Sequence, residues 1–109
     1  TRFYWLVSNQ ATDSMRCVSS LSNIKRYGLP NNERHRLQLH FSRNCVDWCF
    51  AGMVACSTNE LYSRNYPSAV IKGDDLHIVC RSADEHALNP QYNNMITHHI
   101  VSNFRQLIY

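Results

Sequence analysis

Four residues of the types that bind zinc lie close together in the chain: His35, His40, Cys45 and Cys49. Structural zinc sites use short, regular spacings, and this chain contains no Cys-x-x-Cys pair. The alternation around the four residues is that of a β-strand, which favours small buried side chains over metal ligands. We therefore predict neither a metal site nor any other cofactor. The five cysteines are an odd number, so they cannot all pair within the chain.

A second set of polar side chains lies in segment 83–94, the longest polar interruption of the pattern. Long loops on a rigid β scaffold are where binding residues concentrate. The ring of Tyr92 could stack on a ligand, and His86 and Asn94 lie in the same segment and carry polar side chains. We predict that these three residues are substrate-binding residues.

Composition limits the possible partners. The chain has 109 residues, of which 44% are apolar and 17% are charged, as expected for one small folded unit. Its formal charge of +3 includes no block of Lys or Arg, so we predict no nucleic-acid partner. No apolar run approaches the roughly 18 residues that a membrane-spanning helix needs, so we predict no membrane span.

Short β-branched and aromatic runs recur between polar turn clusters, and helical periodicity is weak throughout. This pattern predicts an all-β chain. In segment 36–41, Leu37, Leu39 and Phe41 alternate with polar residues and are predicted to face the core. The predicted strands cover residues 3–8, 16–20, 36–41, 50–56, 68–72, 76–81 and 95–101.

The order of these strands suits two architectures. Gly73 and Asp74 have hairpin-turn chemistry and predict that the flanking strands pair. In the last strand, His98 and His99 should point to opposite faces, so at most one of them could reach a common ligand. Strands at this spacing fit either a β-sandwich or two four-stranded propeller blades of about 40–50 residues each. Periodicity alone leaves both open.

The segment from Arg34 to Trp48 resembles an R-x-x-L-x-L strand that leads into an S-x-D-G-x-x-W turn. This turn is the Asp box of sialidase-like β-propellers. Asn44 stands for the usual Asp of the box and Cys45 for the usual Gly. We expect Ser42 and Asn44 to close the turn on nearby backbone, and Trp48 to pack under the hairpin.

Two later segments are similar to the late blades of the same family. Residues 65–71, followed by 73–79, resemble a Y-P-x-x-x stretch and then D-G-x-L-H-V-x-Y. Residues 94–100 look like the closing strand of such a propeller. The order and spacing of these segments agree with the family.

The resemblance implies an all-β fragment of about two four-stranded antiparallel blades, residues 1–60 and 61–109. A propeller needs about four to eight blades to close its ring, so this chain is expected to be a piece of a larger ring. The remaining blades would come from the same parent chain or from a partner chain, and would cover otherwise exposed apolar faces. The family also favours a secreted or periplasmic location.

The function implied by the resemblance is hydrolysis of a terminal sugar of a glycan. Sialidases use a Tyr nucleophile, because a neutral group avoids repulsion from the substrate carboxylate, and three arginines grip that carboxylate. By position in the motifs, Arg34 is similar to the last of these arginines and Tyr66 to the nucleophile. The acid/base Asp and the other two arginines would lie in earlier blades.

Arg81 is the third candidate catalytic residue and marks a departure from the family. The family places a Glu that activates the Tyr on this strand, whereas this chain reads Val79-Cys80-Arg81. Because an arginine cannot accept the phenol's proton, another exo-acting glycosidase and a lyase acting on an anionic polysaccharide are alternatives. A propeller that only binds glycan or protein, and a free-standing β domain with an interaction function, are the non-enzymatic alternatives.

Overall fold

The computed structural model describes residues 2–9, 34–57, 62–87 and 93–109. These residues form two three-stranded antiparallel sheets, with no α-helix in the described ranges, so the all-β prediction is confirmed. The predicted strand at 16–20 and the candidate residue Tyr92 lie outside the described residues. The elements are β1 Tyr4–Asn9, β2 Arg36–Ser42, β3 Trp48–Cys56, β4 Arg64–Lys72, β5 Asp75–Ser82, β6 Met95–Val101 and a 3-10 turn Phe104–Leu107.

The first sheet has the order β1-β2-β3, so the strictly alternating strand β2 lies in its centre. The predicted core face is confirmed: Leu37, Leu39 and Phe41 are at most 1% exposed. Trp5 of β1 lies opposite Phe41, and the two rings are in tilted contact. A central strand has neighbours on both edges, so its inward side chains are covered most completely.

The second sheet has the order β4-β5-β6, with β5 in its centre. The predicted hairpin joins β4 to β5 through Gly73, whose φ of 63° lies in the left-handed region that glycine adopts without strain. Leu76 and Ile78 of β5 are buried and alternate with the more exposed His77 and Val79. One face of this sheet is therefore a core face.

The core lies between the two sheets, which pack face to face. Each fully buried Leu, Ile or Phe side chain contributes about 1.5–3 kcal/mol relative to an exposed one.

Each sheet has three strands within the described ranges, whereas the sequence predicted four per blade, and the two sheets do not close into a ring. The buried cluster between the sheets consists of Leu37, Leu39, Leu76, Ile78, Cys80 and Phe104, and Phe41 and Ala83 are also buried.

A polar seam joins the two sheets at one end of the core, where β1 lies against β4. The side-chain amide of Asn9 donates to the carbonyl oxygens of Arg36 at 2.9 Å and Arg64 at 2.6 Å. The backbone N–H of Arg64 donates to the carbonyl of Arg34 at 2.7 Å. These bonds fix the start of β2 beside the start of β4.

The turn between β2 and β3 is closed on nearby backbone by Ser42 and Asn44, as expected from these two side chains. The Ser42 hydroxyl accepts from the backbone N–H of Cys45 at 2.9 Å, and Asn44 Oδ1 accepts from that of Asp47 at 2.8 Å. Cys45 has a φ of 62°, a left-handed conformation that glycine adopts without strain. Trp48 remains 37% exposed, so its predicted packing under the hairpin is incomplete.

Both outer faces of the two-sheet stack expose large apolar side chains. On the first sheet, Leu6, Phe50 and Met53 are between 41% and 48% exposed. On the second sheet, the exposed apolar residues of the outer face include Val70, Val79, Ile96 and Ile100. No helix in the described part of the chain is long and apolar enough to cross a membrane.

Candidate functional site

Three residues chosen from the sequence meet in space although they come from two sheets. Arg34 precedes β2 of the first sheet, whereas Tyr66 and Arg81 lie on β4 and β5 of the second. The guanidinium carbon of Arg34 lies 5.3 Å from the centre of the Tyr66 ring, and that of Arg81 lies 5.0 Å from it. Both distances are within cation–π range. We call these three residues, with Asn65, the Tyr66 cluster.

A β-bulge presents Tyr66 to solvent. Asn65 pairs with Arg81 and Ser68 with Val79, so that Tyr66 and Pro67 together stand opposite a single residue of β5. Tyr66 has a φ of 47°, a left-handed conformation that costs a non-glycine residue about 1–2 kcal/mol, and it is 62% exposed. Bulges redirect side chains in this way, and Pro67 fits here because a bulged residue need not donate to the ladder.

Asn65 is the buried member of the cluster, at 1% exposure. With its amide oriented to satisfy its neighbours, the side-chain oxygen accepts from Arg34 Nη1 at 2.7 Å. The side-chain nitrogen donates to the carbonyl of Arg81 at 2.9 Å and to Asn93 Oδ1 at 3.2 Å. Local sequence offers no reason to choose Asn65, because its burial depends on segments far apart in the chain.

The Tyr66 cluster carries positive charge without a matching negative one. Within the described ranges, neither Arg34 nor Arg81 forms an ion pair with a carboxylate, and the Tyr66 hydroxyl makes no hydrogen bond to one. Guanidinium groups in this state can bind a carboxylate, sulfate or phosphate group through paired N–H donors. The arrangement can therefore bind an anion beside a phenol hydroxyl.

The other predicted binding residues lie in a separate turn. The Asp84 carboxylate accepts from the backbone N–H of His86 and from Asn94 Nδ2, each at 2.9 Å. These bonds, Asn94 foremost, hold the pKa of the Asp84 carboxyl below its ordinary value. The His86 side chain is 77% exposed and lies 3.7 Å from a Glu85 oxygen. We call Asp84, His86 and Asn94 the Asp84 turn.

No described contact joins His86 or Asn94 to the Tyr66 ring. Asn93, which precedes Asn94 in the chain, contacts Asn65 of the Tyr66 cluster.

Near the Asp84 turn, a hydrogen bond between Tyr62 and Glu85 raises the pKa of the Tyr62 phenol and lowers the pKa of the Glu85 carboxyl. A cleft of about 230 Å³ is lined by Tyr62, His35 and Arg64, and by none of the three candidate catalytic residues. Its volume is below that of ordinary ligand pockets, which are about 300–1,000 Å³.

The histidines of β6 point to opposite faces, as their alternation predicts. On the outer face, His98 Nε2 lies 3.0 Å from His77 Nδ1 of β5. His99 Nε2 lies 2.9 Å from Thr97 Oγ1. Burial lowers the pKa of His99, and the positive charge of Arg64 lowers it further.

In the part of the chain that the structure describes, no three His, Cys, Asp or Glu side chains are grouped closely enough to hold a metal ion.

Comparison of the chain with protein-family models, with curated proteins and with solved structures gave no match. The resemblance to sialidase-like propellers therefore rests on the sequence motifs alone.

Proposed function

We propose that this chain is part of a sialidase-like glycoside hydrolase and holds the anionic end of a terminal sugar. Arg34 and Arg81 bind the sugar's carboxylate or another anionic group, and Tyr66 faces the anomeric carbon. The observation that carries the proposal is the convergence of two guanidinium groups, neither paired with a carboxylate among the described residues, on one exposed tyrosine. The three residues come from two sheets, so this convergence depends on the packing of the sheets and not on local sequence.

The proposed reaction is a displacement through a covalent intermediate. The Tyr66 oxygen forms a bond to the anomeric carbon while the bond to the leaving-group oxygen breaks, and water later releases the sugar. The phenol's proton passes to an acceptor outside the described residues, because Arg81 cannot take it. The proton for the leaving group comes from an acid that the resemblance places in an earlier blade.

The second part of the proposal is that further sheets cover both outer faces of this stack. Ile96 is 73% exposed and Val70 is 63% exposed on the second sheet, and the first sheet exposes Phe50 and Met53. On the second sheet these side chains share the face with His77, His98 and Arg81. Large apolar patches are rare on a free-standing domain, so this much exposed apolar area favours a covering surface. Neighbouring blades of a propeller, from the same parent chain or a partner chain, would remove it from water.

A glycan-binding propeller without catalysis is the second candidate. The observation that favours it is the lack, among the described residues, of a carboxylate hydrogen-bonded to Tyr66. Two arginines and a tyrosine suffice to bind an anionic sugar, whereas turnover also needs a proton acceptor. The two candidates share the anion site and differ only in chemistry.

The test is turnover of aryl glycosides of carboxylated and neutral sugars by the full-length protein that carries this chain. We expect Tyr66→Phe to lower kcat by about a thousand-fold or more, because the phenol oxygen is the nucleophile. Tyr109→Phe is the matched control, since Tyr109 is also exposed but packs against Phe41 of the core. Full activity in Tyr66→Phe would contradict the assignment, and glycan binding without turnover in the unmodified protein would favour the second candidate.

A further inference from the structure

We infer that Asn65 is a positioning residue that holds the Arg34 guanidinium in its anion-binding orientation without neutralising it. This inference rests on the proposed anion site and identifies the group that sets its geometry. Asn65 lies next to Tyr66 in sequence and pairs with Arg81 across the sheet. It therefore links all three candidate residues.

The hydrogen-bonding pattern at this position suits an asparagine and no other side chain of its size. The position must accept one bond, from Arg34 Nη1 at 2.7 Å, and donate two, to the Arg81 carbonyl and Asn93 Oδ1. Aspartate offers acceptors only, leucine offers neither, and a serine hydroxyl has one donor. At 1% exposure, water does not replace a missing partner at Asn65.

The charge of the side chain at position 65 matters as much as its shape. A neutral amide oxygen orients the Arg34 guanidinium and leaves its full positive charge for a ligand. An aspartate at the same position would pair with Arg34 directly and compete with the sugar's carboxylate. Asn65→Asp preserves size and shape but also loses the two donated bonds. That structural loss should weaken binding of a charged and an uncharged ligand alike, so a selective loss of the charged ligand isolates the electrostatic role.

The experiment measures binding of methyl glycosides of sialic acid and of glucuronic acid, and of the methyl esters of both, to the full-length protein. Asn65→Asp is expected to weaken binding of the acid about tenfold, the effect of losing one charge-assisted bond, and to change binding of the ester less than twofold. In an Arg34→Ala background the same substitution should have no further effect. Ser82→Ala is the matched control, because Ser82 is equally buried but bonds to Thr97.

Equal weakening of acid and ester by Asn65→Asp, or an undiminished effect in Arg34→Ala, would overturn the inference. If wild type does not prefer the acid, or if Arg34→Ala leaves that preference unchanged, the proposed function fails instead. A second readout needs no sugar: NMR of the Arg34 side chain should show faster rotation of its Nη groups in Asn65→Ser. Unchanged rotation would overturn the inference even if Asn65→Asp fails to fold.

Discussion

The Tyr66 cluster and the Asp84 turn each contain residues that were predicted to contact substrate: Arg34, Tyr66 and Arg81 in the cluster, and His86 and Asn94 in the turn. The hydrogen bonding of the two regions differs. In the cluster, Arg34 and Arg81 come from different sheets and have no carboxylate partner among the described residues. In the turn, the Asp84 carboxylate is already bonded to the Asn94 side chain and the His86 backbone. The cluster has unused hydrogen-bonding capacity, whereas much of the turn's polarity stabilises its own backbone.

This difference shows what distinguishes a candidate site from a polar loop. Polar residues in a loop often bond to the nearest backbone, as Asp and Asn do in turns. A site is better marked by charges that the fold brings together and leaves unpaired, because that arrangement costs stability unless a ligand relieves it. The left-handed backbone of Tyr66 and the 62% exposure of this residue agree with its assignment to a binding site.

Among the substitutions that compare the anion-binding arginines with the Asp84 turn, reversing a charge in the Tyr66 cluster should have the largest effect. Arg81→Glu is expected to lower kcat/KM for a carboxylated sugar about a hundred-fold or more, because a substrate carboxylate would then meet a like charge. Arg81→Gln should lose about tenfold. If Arg81→Glu instead raised kcat, Arg81 would merely occupy the place of the family's proton acceptor and would not bind the anion.

A smaller effect is expected at Asp84, and it concerns stability. Its folded pKa is depressed by Asn94 and the His86 backbone, so its stabilising contribution is present above the unfolded pKa of about 3.9 and is lost as the pH falls through the folded value. Melting temperatures between about pH 5 and pH 2 should therefore fall less steeply in Asp84→Asn. Parallel profiles would show that the Asp84 bonds add nothing to folding.

The smallest effect is expected at His86. Its side chain is 77% exposed, and its bond to Asp84 uses the backbone N–H, which alanine retains. His86→Ala should change kcat/KM for the best substrate less than twofold, and the free energy of unfolding by less than about 0.5 kcal/mol. A tenfold loss of kcat/KM would move the Asp84 turn into the site and remove the contrast between the two regions.

Much of the sheet structure could be predicted from local sequence. Strict alternation identified the core face of β2, and Gly73 with Asp74 identified the β4–β5 hairpin, because both signals act over a few residues. The bulge at Tyr66 could not be predicted, since it depends on the register between β4 and β5. The number of strands per sheet also depends on pairing between distant segments.

The candidate site was predicted only in part. Arg34, Tyr66 and Arg81 were chosen through a family resemblance, and nothing in their spacing along the chain indicates that they meet. Asn65 was missed, because a polar residue in a strand gives no sign that it is buried against a neighbouring sheet. His86 and Asn94 were chosen for lying in a polar loop, a signal that does not separate binding residues from turn residues.

The most direct measurement is covalent trapping with a fluorinated, carboxylated glycosyl fluoride, which slows breakdown of a glycosyl-enzyme intermediate. After digestion with trypsin, mass spectrometry of the full-length protein should find the sugar on peptide 65–72, whose one tyrosine is Tyr66. The label should be present on this peptide in the unmodified protein and absent in Tyr66→Phe. A label on any other residue, or inactivation that persists unchanged in Tyr66→Phe, would contradict it.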